Sequence, residues 1–189
     1  MFRAAILGVM APVFLAGADA ARAQSAYPFL NKEFEVPEEL VTPEFKLRML
    51  TVHDVVKDFE AVTASKPRLL KLFPGWGGWP EGLTLEDNLI DLGWHQREFT
   101  RRDSFAYTVV SLDEARVVGC VYIDPTRKIG YDAEVYLWAR ESAQGDPADR
   151  ALEAAVRGWV ASEWPFANPA FPGRDMPWEE WESVPTAKR

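Results

Sequence analysis

Two side chains suited to proton transfer stand at alternate positions of the run 133–138, whose alternation is typical of a β-strand. Such a strand carries Glu134, Tyr136 and Trp138 on one face. A carboxylate and a phenol that share a cleft can act as general base and general acid, respectively. Two structural alternatives remain open: Glu134 pairs with an arginine such as Arg97 or Arg48, and Tyr136 packs in the core.

The segment that follows, 139–149, joins this strand to a predicted helix and has one feature of an anion-binding site. The first N–H groups of a helix lack partners within the helix, so they can bind a phosphate. Arg140 and Gln144 are the residues that we expect to contact such an anion. The alternative is that Arg140 and Gln144 are solvated loop residues.

Acidic side chains compete with any anion at this helix start. Asp146 is the expected N-cap, Pro147 lacks an N–H donor, and Asp149 completes a capping box. Two like charges about 4 Å apart repel by about 4 kcal/mol at an effective dielectric constant of about 20. Because this lowers affinity about a thousandfold, we expect phosphate-bearing ligands to bind weakly.

A loop rich in glycine and proline, 72–82, carries Trp76 and Trp79 between two predicted helices. These tryptophans form either a lid or an apolar wall for a substrate, or they are packing plugs. His95 lies one position beside the apolar stripe of the second helix. It is expected either at the edge of a cleft or half-exposed on the helix surface.

Composition and charge exclude several classes of function. The chain of 189 residues has a net charge of −8, which disfavours nucleic acid or an anionic membrane as the main partner. The single cysteine, Cys120, lies among valines and is expected to be a buried, inert thiol. His53 and His95 have no metal-site spacing with Cys120, so we expect no metal cofactor.

The first residues have the pattern of an export signal. Arg3 supplies a positive start, residues 4–18 are apolar, and Ala21 and Ala23 have the spacing of a cleavage site. A signal peptide over 1–23 predicts an exported protein, periplasmic or secreted, with no membrane contact beyond export. The alternative is an over-extended gene start, which predicts a cytoplasmic protein.

Apolar periodicity predicts three main helices around these segments. The first covers 52–64, and the second begins after Thr84, whose hydroxyl forms a capping box with Asp87. The third follows the loop that contains Asp146. A closing helical turn is expected over 178–181.

Strands are predicted over 45–50, 105–110, 117–123 and 133–138, with a short final strand over 168–171. Short connections join the three middle strands into an antiparallel meander. The predicted class is α/β (α+β), with a mixed, mostly antiparallel sheet flanked by helices. An extended arm over 24–42 precedes the domain over 43–171, and a C-terminal tail with a short helix follows over 172–189.

This order of elements resembles the GCN5-related N-acetyltransferase (GNAT) superfamily. Residues 118–123 resemble the family's Gly-x-hydrophobic strand, and residues 133–138 resemble the strand whose backbone pairs with the pantetheine arm of acetyl-CoA. The resemblance implies acetyl-CoA as the cofactor. It places Val135, Leu137 and Trp138 at the pantetheine arm, and Arg140, Gln144 and Gly145 at the pyrophosphate.

The sequence departs from the family pattern at two places. The family's pyrophosphate loop reads Gln/Arg-x-x-Gly-x-Gly/Ala, of which only Gln144 and Gly145 have counterparts here. The family's final hairpin is missing or is replaced by residues 172–185.

The resemblance implies transfer of an acetyl group from acyl-CoA to an amine of a small molecule or peptide. In that case Glu134 is the base, Tyr136 returns a proton to the CoA thiolate, and Trp76, Trp79 and His95 border the acceptor. The alternative is an exported, non-catalytic binding or scaffolding protein that keeps the fold without CoA binding. The acidic helix start favours this alternative, as does the scarcity of CoA outside the cytoplasm.

Overall fold

The structure is a computed structural model that describes residues 29–140 and 147–187. Within these residues, six strands form one sheet in which spatial order follows chain order. The strands are β1 (Glu39–Val41), β2 (Lys46–Met49), β3 (Phe105–Val110), β4 (Val117–Asp124), β5 (Ala133–Ala139) and β6 (Pro169–Ala170). Neighbours are antiparallel from β1 to β5, whereas β5 and β6 are parallel. The predicted mixed, mostly antiparallel sheet is therefore confirmed.

The described helices are α1 (Val55–Ala64), α2 (Lys66–Leu72), α3 (Leu85–Arg101), α4 (Pro147–Glu163) and α5 (Trp178–Ser183), with a 3₁₀ turn over Val52–Asp54 before α1. Helix α3 begins as predicted, because the Thr84 hydroxyl accepts from the Asp87 N–H at 3.1 Å and the Asp87 carboxylate accepts from the Thr84 N–H at 3.2 Å. Sequence periodicity does not predict the short helix α2. None of the described helices combines the length and apolar character needed to cross a bilayer.

The sheet separates two apolar clusters, and β5 contributes to both. Val135 and Leu137 pack on the side that α4 covers, whereas Tyr136 and Trp138 pack on the side of α1 and α3. This alternation places Tyr136 beside Phe73 and Trp76, at the loop between α2 and α3.

Close approach of two backbones requires glycine at position 119 of β4. A Cβ atom there would lie 2.1 Å from the carbonyl oxygen of Trp138, which no side chain tolerates. The register between β3 and β4 also shifts between Val109 and Val110. Glycine at position 119 therefore permits the close approach of β4 to β5.

Candidate functional site

Strand β5 loses its parallel partner soon after it begins. Pairing with β6 is limited to Ala133 with Pro169 and Glu134 with Ala170. From residue 135 onward, the described residues place no strand on that side of β5. This open edge lies where the resemblance implies that an acyl-CoA arm would pair with the backbone.

Side chains of the same protein occupy this edge. The carbonyl oxygen of Leu137 accepts a hydrogen bond from Arg174 Nη2 at 3.0 Å. The N–H of Ala139 donates to Asp149 Oδ1 at 3.3 Å. The edge groups that an amide ligand would use are therefore already bonded to Arg174 and Asp149.

Arg174 and Asp149 belong to a partly buried ionic cluster that joins β5 to α4. Arg174 Nη1 lies 3.1 Å from Asp149 Oδ2 and 2.6 Å from Glu153 Oε2, with 12% of the Arg174 side chain exposed. Arg68 of α2 pairs with the same Asp149 carboxylate at 3.2 Å. Because the charges are largely desolvated, removal of either partner leaves an expensive unpaired charge.

Trp178 covers the neighbouring part of β5. Its ring stacks on Tyr136 with a centroid separation of 5.9 Å and an interplanar angle of 2°. Its indole Nε1 donates to the carbonyl oxygen of Leu72 at 2.9 Å. Gly173 permits this approach, because a Cβ atom there would lie 2.6 Å from Trp178 Nε1. The segment 171–178 therefore closes the edge of β5.

Glu134 and Tyr136 form a hydrogen-bonded pair at the start of the open edge. The Tyr136 hydroxyl donates to Glu134 Oε2, and the Thr126 hydroxyl donates to Glu134 Oε1 at 2.6 Å. Burial, and then the hydrogen bond to Glu134, raises the pKa of the Tyr136 phenol. Arg48, one of the arginines considered as a partner for Glu134, instead binds Asp54 at 2.8 Å.

A second carboxyl group, that of Asp124, lies beside the Glu134–Tyr136 pair, and the sequence alone did not identify it. Asp124, at the end of β4, is the register partner of Glu134. Burial, reinforced by the charges of Glu134 and Glu98, raises the pKa of Asp124 to about 7. A carboxyl group that ionises near neutrality is suited to general base chemistry. The predicted strand ends at residue 123, before Asp124, and only the pairing of Asp124 with the strand that carries Glu134 could have indicated this role.

A cavity of about 260 Å³ lies between α1, α3, β4 and the loop after α2. Trp76, Trp79 and His95, which the sequence predicts to border an acceptor, all line it together with Tyr122. The Trp76 ring lies 5.7 Å from Tyr122 and 5.4 Å from Tyr136. Trp76 thus contacts both the cavity and the Glu134–Tyr136 pair.

Two carboxylates also line this cavity. Asp58 is buried and accepts from Asn88 Nδ2 at 2.9 Å, and burial raises its pKa to about 6. Partial burial also raises the pKa of Asp91. Burial lowers the pKa of His95, so its imidazole is neutral at physiological pH.

The remaining predicted site residues take other positions. Val135 and Leu137 are buried towards α4, and Trp138 is fully buried on the opposite face. The Arg140 guanidinium pairs with Glu60 at 3.0 Å, and its backbone N–H donates to Val118. Gln144 and Gly145 lie outside the described residues, as does Asp146.

The next features are the single cysteine and the side chains that could bind a metal ion. Cys120 is buried, and burial raises the pKa of its thiol well above the usual value. Across residues 29–140 and 147–187, no group of three or more His, Cys, Asp or Glu side chains could hold a metal ion.

Comparison with known proteins identifies the fold. No protein-family model and no curated protein sequence matches the chain. A ribosomal-protein-S5-alanine acetyltransferase from Vibrio fischeri matches with a TM-score of 0.52 and 15% identity, over 67% of this chain and 69% of that chain. A probable acetyltransferase matches with a TM-score of 0.50 and 14% identity, over 67% of this chain and 68% of that chain. The chain has the GNAT fold, as predicted.

A third similar solved structure contains coenzyme A. It is RimL, a ribosomal L7/L12 alpha-N-protein acetyltransferase in complex with coenzyme A. It matches with a TM-score of 0.49 and 18% identity, over 64% of this chain and 66% of that chain.

Proposed function

We propose that this chain is an acetyltransferase-like protein that binds an amine, and that its closed β5 edge makes it a binding protein rather than an enzyme. The observation that carries the proposal is the pair of contacts from Arg174 to Leu137 and from Asp149 to Ala139. They occupy the strand edge to which an acyl-CoA arm would bind.

The residues at this edge do not fit acetyl-CoA in the described conformation. A cofactor arm would have to remove Arg174 from Asp149 and Glu153, which lie 3.1 and 2.6 Å away. Breaking a partly buried pair of this kind costs about 3–5 kcal/mol, or at least about a hundredfold in affinity.

Amine binding is supported by the cavity under Trp76 and Trp79. Its walls are aromatic, and Asp58 and Asp91 supply negative charge. The net charge of −8 also favours a cationic partner over an anionic one. The protein thus keeps a place for an acceptor amine while closing the place for an acyl donor.

Catalysis is a second candidate, favoured by the Glu134–Tyr136 pair and by Asp124. It requires that the segment 171–178 leave β5. In that state Glu134 and Asp124 are the carboxylates available to take a proton from an amine, and Tyr136 is the phenol available to donate one.

Release of the CoA thiol distinguishes the two candidates. The full chain is incubated with acetyl-CoA and a panel of small and peptide amines, while thiol release and product masses are recorded. We expect no release above the protein-free control. Release that Glu134→Gln abolishes and the surface variant Glu86→Gln retains would contradict the non-catalytic proposal.

A further inference from the structure

The cavity between α1, α3 and β4 has walls suited to a positive charge. The ring centroids of Trp79 and Trp76 lie 5.7 Å apart. Those of Trp76 and Tyr122 also lie 5.7 Å apart, in an edge-to-face arrangement. His95 lies 5.4 Å from Tyr122 and, being neutral, brings no competing charge. Aromatic faces around a small space attract ammonium groups through their negative ring faces.

In the described lining of the cavity, the acidic side chains have no lysine or arginine beside them. Asp58 and Asp91 line it, and no lysine or arginine is among the described residues that do so. Asp58 Oδ2 accepts from Asn88 at 2.9 Å, whereas the one contact of Oδ1 within the described residues is the Cys120 thiol at 3.9 Å. A buried carboxylate oxygen that meets only a thiol is suited to a donor or cation from a ligand.

The size of the cavity limits the ligand. A volume of about 260 Å³ lies just below the usual range for drug-sized ligands. Trp94 stands at the rim, half exposed, with the Arg97 guanidinium 4.9 Å from its ring centre. That cation lies over Trp94, whereas Trp76, Trp79 and Tyr122 are the other tryptophan and tyrosine residues of the cavity lining.

We propose that this cavity binds a small organic ammonium cation, held by the rings of Trp76, Trp79 and Tyr122 and by the charges of Asp58 and Asp91. The inference rests on the proposed function and deepens it, because it names the class of amine. A neutral molecule of the same shape leaves both carboxylates without a counter-charge, and an anion is repelled.

Choline and its neutral carbon isostere, in which carbon replaces the nitrogen, test the role of charge directly. Each is titrated into the full chain by calorimetry, without acetyl-CoA. We expect saturable binding of choline and at least about tenfold weaker binding of the isostere. Equal affinities, or no binding of choline, would overturn the proposal.

Two variants locate the site. Asp91→Asn, on the exposed side of α3, is expected to weaken choline binding about fivefold, whereas Glu86→Gln on the same helix leaves it unchanged. Trp79→Leu is expected to weaken it at least about tenfold. If Asp91→Asn binds choline as tightly as the natural chain, the cation does not lie in this cavity.

The outcomes separate this inference from the proposed function. Choline binding together with thiol release from acetyl-CoA would support the cation site and contradict the non-catalytic proposal. Absence of both choline binding and thiol release would contradict the cation site but agree with the proposal that the β5 edge is closed.

Discussion

Replacement of Asp58 by asparagine is expected to stabilise the protein at about pH 8 and to change its stability little at about pH 4. The carboxyl is 3% exposed, and burial raises its pKa from 3.8 to about 6. At about 1.4 kcal/mol for each pKa unit, this difference corresponds to about 3 kcal/mol. Asparagine keeps the shape and can still accept the hydrogen bond from Asn88.

The sign follows from proton binding. Between 3.8 and about 6, the folded protein holds a proton on Asp58 that the unfolded chain has released. The contribution of Asp58 to the free energy of unfolding therefore falls as pH rises through this window, and its full cost is present above the folded pKa. The asparagine variant does not pay this cost, so its advantage grows over the same window.

Urea unfolding of both chains at several pH values measures the difference. We expect Asp58→Asn to be more stable by up to about 3 kcal/mol at about pH 8, with the gain shrinking towards zero at about pH 4. Glu86→Gln controls for the loss of one surface charge. A difference that does not vary with pH, or that grows as pH falls, would refute the assignment of Asp58 as a buried carboxyl with a raised pKa.

Three further predictions concern local features of the fold. Thr84→Ala should lower the free energy of unfolding by about 1 kcal/mol in urea titration, because it removes the hydroxyl of the α3 capping box, and an unchanged value would contradict the cap. Gly119→Ala should lower the free energy of unfolding by about 3 kcal/mol or more, because the added Cβ atom would overlap the carbonyl oxygen of Trp138. Gly158→Ala, in an open part of α4, is the control and should leave this free energy unchanged or raise it. Equal effects of the two substitutions would contradict the close approach at Gly119. Cys120 should react with a thiol reagent only on unfolding, and rapid labelling of the folded chain would show that the thiol is accessible.

Local sequence patterns predicted most of the fold because each pattern spans only a few neighbouring residues. The capping box of Thr84 and Asp87 and the alternation of Glu134 and Tyr136 each depend on neighbours in the sequence. Helix α2 was missed because its seven residues are too few for a clear period, and the burial of Leu69 in the core helps to hold it.

The candidate site depends on contacts between distant segments, which local patterns do not contain. Arg174 reaches Leu137 and Asp149 across 37 and 25 positions of the chain, and Trp178 reaches Leu72 across 106. The raised pKa of Asp124 likewise arises from burial and from Glu134 across a strand pair. The sequence could name residues suited to chemistry, but it could not show that the C-terminal segment closes the edge of β5.

Titration of acetyl-CoA into the full chain by calorimetry tests the closed edge most directly. Arg174 donates a hydrogen bond to the carbonyl oxygen of Leu137, and Asp149 accepts one from the N–H of Ala139. Because acetyl-CoA would have to displace these contacts, we predict no saturable binding with a dissociation constant below about 100 µM. A dissociation constant below about 1 µM would contradict the account, because the cofactor would then displace these contacts at little cost.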